Sequence, residues 1–428
     1  MRKIFAFLLM GFMCLSAHAA TIINDTETEG LIYEMVAPIA SAANIAPNRL
    51  KIHIVHDDDF NAFVMGGEDV YIYTGLLTRV KTPGALRAVV AHELGHTIGG
   101  HMAQMSARVA AEMKRTMLIQ ALGIGLMFAG GNPSLGAGVL AGAGGIATQS
   151  MLAFSRDEER IADNAGLDLM ARAGFDPNGF VEVFTQMQDM TGAAESRINP
   201  NRINHPLTAE RLKNVREYIA AHPGKYKGET GLAGRYDLVR AKLVGYLEPA
   251  ARVAALYPAS DKSDAARYAR AISAMRGGEL MRASADVDAL IKGNPKNPYF
   301  YELRGDIEFQ LGDYDKSVAA YTRALELMPD APQIQVALAL VLTERGGAGD
   351  ATRALELCRR SVLSAPSPLA YWTMARTFDD ARSDWAMAEY YHLIGDKKKA
   401  AAYAKKARKS LAPDTPEYVK AGDLIKSK

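Results

Sequence analysis

The run His92-Glu93-Leu94-Gly95-His96 constrains the architecture of this chain more than any other five residues. On an α-helix, residues four apart stand one turn apart on the same face. Two imidazoles placed that way reach one divalent ion, and Glu93 lies beside them, positioned to take a proton from a water held there. A catalytic ion of this type takes three protein ligands and leaves one position for water. The helix carrying His92 and His96 must therefore be met by a second element bearing the third ligand.

Two residues compete for that role. Gly99 fits the pattern HExxHxxGxxH, but the next histidine is His101, one position short. On a continuing helix it points away from the ligand face and reads as a solvent-facing or core histidine. The stronger candidate is Glu159, in Glu159-Arg160-Ile161-Ala162-Asp163 on a separate helix. It would complete a set of two histidines and one glutamate. Asp163, one turn beyond Glu159, is placed either to accept a hydrogen bond from a ligand histidine or to pass a proton to a leaving amine.

The surroundings read as an α+β arrangement, mainly helical. The alternation over 50–57 (LKIHIVHD) predicts a half-buried strand, and 61–77 a hairpin turning at Gly66-Gly67-Glu68-Asp69. Thr82-Pro83 supplies an N-cap and a first-turn proline. One long helix is expected from there through HELGH to Arg115, and another over 155–174, closed by Asp176-Pro177. The segment 117–153 is Gly-rich and apolar, broken at Asn132-Pro133. It reads as a lid, a membrane-touching hairpin or a pair of tightly packed core helices. Each half is short of the ~20 residues that span a bilayer.

The first residues carry a different message. Arg2 and Lys3, an apolar run over 4–15, and Ala17-His18-Ala19 follow the order of a secretory signal cleaved after residue 19. Removing Arg2 and Lys3 brings 50 basic residues to 48, equal to the 48 acidic ones. That balance argues against a nucleic-acid-binding protein. Of two cysteines, Cys14 leaves with the signal and Cys358 remains, so no disulfide framework or Cys-rich metal knuckle is available. No GxxxxGK[ST] and no strand-linked GxGxxG appears, which removes the usual phosphate-cradling loops.

Beyond the Gly- and Lys-rich stretch 222–237, the chain turns helical with a 34-residue period. Gly312, Tyr321, Ala324 and Pro329 are echoed one period earlier by Gly278, Ala283 and Pro295. Ala354 and Pro366 fit after an insertion of about three residues near 346–349, and Gly395, Ala400 and Ala407 fit a terminal copy. The pattern resembles the tetratricopeptide repeat, whose stacked helix pairs form concave protein-binding surfaces. Tyr301 stands where that family commonly has tryptophan, and Cys358 falls at an inward position. The tail over 396–428 carries ten Lys/Arg against four Asp/Glu. It reads as a solvated cap or as a surface for an acidic partner or anionic lipid.

HELGH, then SRDEERIAD, then His205-Pro206-Leu207 with Arg211, resemble the family-48 zinc metallopeptidases. The resemblance implies a gluzincin-type domain with a small sheet, followed by the all-α repeat solenoid. It implies one Zn²⁺ per chain held by His92, His96 and Glu159, with Glu93 as general base and Asp163 as supporting acid. It assigns Asn61, Ala62, Phe63 and Val64 to an edge strand that pairs with extended substrate. It gives Arg211 a place near the scissile carbonyl, and makes His205 a residue able to take the water's place, an off switch. Met65 before Gly66-Gly67 departs from the proline common in that family.

The expected organisation is a signal at 1–19, a metalloprotease domain over 20–225, a linker over 226–260 and repeats over 261–428. The expected function is a periplasmic endopeptidase degrading misfolded or stalled envelope proteins, its repeats meeting substrate or the outer-membrane β-barrel assembly machinery. No nucleic acid is expected as partner, and 117–153 is the place for peripheral membrane contact. The rival expectation is a chaperone or adaptor for outer-membrane assembly with a mostly latent site; a third is an integral membrane protease spanning through 117–153.

Overall fold

The computed structural model describes residues 21–101, 156–192, 205, 209–224, 226 and 231–426. The signal-like residues 1–19 and the Gly-rich segment 117–153 lie outside the described residues. The chain divides into two compact units, one comprising Ala19–Ile23 with Thr28–Arg240, the other Asn24–Glu27 with Ala241–Lys428 besides the first residues.

The first unit holds the sheet, with β1 (Thr21–Ile23), β2 (Lys51–His56), β3 (Ala62–Met65) and β4 (Asp69–Tyr73) in the order β1-β2-β4-β3. β2 runs parallel to β4, and β3 pairs antiparallel with β4 through the expected Gly66-Gly67 turn, Phe63 opposite Tyr71. β3 is thus an edge strand. The two-residue period turns Ala62 and Val64 inward, while Phe63 stacks on Tyr71 with ring centroids 4.7 Å apart.

Helix α1 spans Thr26–Ala42, α2 (Thr74–Arg79) packs on β2 and β4, and α3 (Pro83–Ile98) carries HELGH. Arg87 Nε of α3 donates to the Met35 carbonyl at 3.1 Å, which ties α1 to it. Leu31, Ile32, Met35, Val36 and Ile39 of α1 recur at helical spacing and are buried. α3 begins as expected: the Ala85 amide donates to Thr82 Oγ1 at 3.1 Å and Pro83 occupies the first turn. It does not continue to Arg115. It stops at Ile98, because Gly100 adopts φ 67°, a left-handed conformation that costs glycine nothing and ends the α-helical ladder.

Helices α4 (Arg156–Ala173), α5 (Asn178–Gly192) and α6 (Ala209–Ala221) complete this side, α4 and α5 packing on α3. The approach of α4 is set by Gly95: a Cβ there would sit 2.4 Å from the Ala162 carbonyl oxygen. The stretch expected as a linker is helical from residue 232 onward, and the division between the units at Arg240/Ala241 falls within it. α7 (Leu232–Leu247) and α8 (Ala250–Leu256) occupy it, because Tyr236, Val239, Leu243, Val244 and Val253 supply an apolar face that is buried.

The second unit holds helix pairs α9 (Asp264–Arg276) and α10 (Leu280–Gly293), α11 (Pro298–Leu311) and α12 (Tyr314–Leu327), α13 (Pro332–Arg345) and α14 (Asp350–Ser364), and α15 (Pro368–Thr377) and α16 (Arg382–Leu393). Helices α17 (Lys397–Arg408) and α18 (Pro416–Lys426) follow. First helices start at Asp264, Pro298, Pro332 and Pro368, steps of 34, 34 and 36 residues. The buried second-helix positions Ala283, Ser317 and Ala354, like Val287, Tyr321 and Cys358, step by 34 and then 37, so three residues are inserted near 346–349 as expected and the following loop is one residue shorter. Cys358 is 1% exposed within the repeat core, and burial pushes its thiol up to about 12.

Candidate active site

Helix α3 presents His92, Glu93 and His96, and α4 presents Glu159 and Asp163. His205 arrives from the segment ahead of α6, which itself supplies Arg211. The ligand-type atoms of His92, His96, Glu159 and His205 all lie within 4.8 Å of one another. His96 Nε2 is 3.1 Å from His92 Nε2 and 3.5 Å from Glu159 Oε1, and His92 Nε2 is 3.4 Å from Glu159 Oε2. Two ligands each ~2.0–2.1 Å from one tetrahedral ion stand about 3.3 Å apart. The three expected ligands therefore fit a zinc ion in spacing as well as in donor chemistry. His205 Nδ1, 3.3 Å from His92 Nε2 and 2.8 Å from Glu159 Oε1, adds a fourth donor.

Charge in the cluster is arranged around burial. Burial pulls the His96 imidazole down, and His92 and His205 add to this, to about 3, so that its lone pair is available. Burial opposes charge on His92 too, but the Asp163 and Glu159 carboxylates outweigh it and raise that imidazole to about 9. Burial raises Glu93 above the usual carboxylate range despite His205 and His92 nearby, which suits a group that must accept a proton. For Glu159 burial is outweighed by His205, His92 and His96, and its carboxyl is held low. The same happens at Asp163 through Arg211 and His92.

Asp163 Oδ1 lies 2.9 Å from His92 Nδ1, the ring nitrogen facing away from the cluster. Arg211 grips Asp163 through Nε at 2.8 Å and Nη2 at 2.7 Å, and reaches Glu159 Oε2 through Nη1 at 2.5 Å. Its guanidinium stacks 4.8 Å over Phe184 of α5, an aromatic support the sequence did not point to. Arg211 thus holds two carboxylates of α4 rather than projecting alone into open space. His205 Nε2 also stands 3.4 Å from Glu93 Oε1.

A cavity opens from these residues toward the sheet edge, walled by Phe60, Leu76, Phe180, Val183 and Met187. Of the four residues expected to form the substrate strand, Asn61 and Ala62 border it. Phe63 stacks on Tyr71 and Val64 is buried. His101, expected to be solvent-facing or a core residue, is 2% exposed, with Nδ1 2.9 Å from His96 Nδ1. The glycine pair directly before it is the signal that the ligand helix stops and the chain turns back.

Residues 26–219 match the profile of peptidase family M48, and residues 268–332 and 309–371 match a tetratricopeptide repeat. A β-barrel assembly-enhancing protease of Escherichia coli K12 is 23% identical over 347 residues, covering 79% of this chain and 69% of the relative. A putative β-barrel assembly-enhancing protease of Vibrio cholerae is 26% identical over 296 residues, 67% of this chain and 60% of the relative. The mitochondrial metalloendopeptidase OMA1 of Schizosaccharomyces pombe is 28% identical over 184 residues, 42% of this chain and 50% of the relative. Given these matches and the cluster built on HELGH, the chain carries a peptidase domain of family M48, the zinc metalloendopeptidases, followed by tetratricopeptide repeats.

Proposed function

We propose that the chain is an exported, periplasmic endopeptidase with one zinc ion, acting on misfolded or stalled envelope and outer-membrane proteins and held latent by His205. The observation that carries the reading is the convergence of His92, His96 and Glu159 from two helices beside the buried Glu93 carboxylate. The signal-like start of the chain and its likeness to the β-barrel assembly-enhancing proteases support the compartment and the substrate class.

Zinc, when bound, supplies a Lewis acid that polarises the scissile carbonyl. The chain's own residues do the rest. Substrate lies extended along β3 from Asn61, adding a strand to the sheet edge. The apolar wall of Phe60, Phe180 and Met187 takes an apolar side chain and keeps water out. Glu93 accepts a proton from the attacking water and returns it to the leaving amine. Asp163, kept ionised by Arg211, orients His92 through Nδ1 and is not the proton donor. His205 must swing off Glu159 before substrate enters, and its place beside the other donors supports the off-switch reading. The closed donor set equally favours a second reading, in which an adaptor uses its repeats to hold outer-membrane proteins while hydrolysis stays latent. In either reading the repeats meet extended protein segments or the assembly machinery. Among the described residues no helix is long and apolar enough to cross a membrane, and contact of 117–153 with a membrane surface remains part of the proposal.

The test is metal analysis of the purified protein with cleavage of an unfolded β-barrel protein, with and without chelator. One zinc per chain and chelator-sensitive cleavage are expected. Glu93→Gln should keep the metal and lose about 10²–10⁴ in rate; full activity in that variant would remove Glu93 from the role of base.

A further inference from the structure

His96 turns Nε2 toward His92 and Glu159. A neutral imidazole that offers the Nε2 lone pair carries its proton on Nδ1. That Nδ1 lies 2.9 Å from Nδ1 of His101, whose ring stands at 75° to it with centroids 5.0 Å apart. Two protonated Nδ1 atoms cannot share a hydrogen bond, so His101 accepts at Nδ1 and carries its own proton on Nε2. We propose that His101 is a positioning residue, accepting the His96 Nδ1–H bond and so fixing the tautomer and ring angle of that metal ligand. His92 has a carboxylate, Asp163, in the equivalent place; His96 has a second imidazole.

The local chain is shaped for this contact. The helix ends at Ile98, and the left-handed Gly100 turns the backbone so that residue 101 folds back. The ring then lies over Gly99, where a Cβ would meet His101 Nε2 at 2.4 Å and Cε1 at 2.6 Å. Any side chain at 99 would displace the ring from His96. The ring is 2% exposed, so solvent does not compete for the bond.

The inference rests on the metallopeptidase reading, and the experiment separates the two. Zinc affinity of the full chain is measured by competition with a chromophoric chelator, beside the melting temperature of the metal-free protein. His101→Phe fills the volume but offers no acceptor, while His101→Asn restores an oxygen near the Nδ1 position. Loss of an outer partner typically costs 10–100-fold in metal affinity. The expected result is that loss in His101→Phe, near wild-type affinity in His101→Asn, and little change in metal-free melting. Gly99→Ala keeps His101 but pushes its ring aside, and should also weaken zinc binding. Equal affinity in His101→Phe and wild type, or equal losses in His101→Phe and His101→Asn, overturns the positioning role alone. Should His101→Phe not fold, wild-type affinity in Gly99→Ala overturns it. A wild-type protein that binds no zinc overturns the metallopeptidase reading itself, and this inference with it.

Discussion

His205 shows what one side chain does to the whole site. Its Nδ1 stands 2.8 Å from Glu159 and 3.3 Å from His92 Nε2, while its Nε2 faces Glu93. It therefore crowds ligands and base together. If that conformation holds 90% or more of the population, removing it raises the competent fraction about tenfold. His205→Ala should thus raise basal casein cleavage at unchanged zinc content, and an unchanged or lower rate would contradict the off-switch role. His92, His96 and Glu159 were legible because helical spacing alone puts the histidines on one face and the acidic pair 159/163 on another. His205, beside Pro206, reads as an ordinary loop residue by itself and stood out only through the family resemblance. Burial bears out the core reading of His101, but its contact with His96 could not be foreseen, because its direction was worked out for a helix running on past Ile98.

Among the elements, the start of α3 could be read from Thr82-Pro83, since a cap is a local device and needs no neighbour. Its end could not be placed by periodicity, which runs on past Ile98 through apolar and polar residues alike; Gly99-Gly100 was the stronger cue. The helices inside the expected linker were hidden for a related reason. Gly and Lys near 224–231 look like a break, yet Tyr236, Val239 and Leu243 repeat at helical spacing soon after. The pairing of α3 with α4 depends on Gly95, whose missing Cβ admits the Ala162 carbonyl. Gly95→Ala forces the helices apart. Overpacking of this kind costs about 1–3 kcal/mol, and it draws Glu159 away from His92 and His96. Chemical denaturation should show the loss in stability and chelator competition a weaker zinc site. Wild-type values in both would mean the helices shift without cost.

At the scale of the molecule, a formal charge of +2 hides a strongly uneven interior. In the repeat-bearing unit, Lys242 Nζ stands 2.6 Å from Asp25, 3.2 Å from Glu27 and 3.6 Å from Glu302. Tyr268 donates to Glu27 at 3.0 Å, and Tyr321 to Asp306 at 2.5 Å. One cation thus meets three acids directly, while Asp306 is held by Tyr321. No sequence pattern announces this, because Asp25 and Glu27 precede α11 by most of the chain; only folding brings them to Glu302 and Asp306. Burial, against the pull of Lys242, raises the Glu302 carboxyl from 4.5 to about 8. Asp306 rises to about 6, chiefly by burial as well. The folded state therefore holds protons that the unfolded chain releases, so these groups stabilise fully below about pH 4.5 and lose that contribution as pH climbs through 8. One proton retained between pH 6 and 8 is worth on the order of 2 kcal/mol, or several degrees in melting temperature. The two tryptophans of the chain, Trp372 and Trp385, both belong to this unit, so their fluorescence follows its unfolding in the intact protein. Wild type should melt lower at pH 8 than at pH 6, and Glu302→Gln, which mimics the protonated form, should flatten the decline. A decline of equal steepness in Glu302→Gln would show that Glu302 is ionised in the folded chain throughout this range and that its proton plays no part in holding the repeats together.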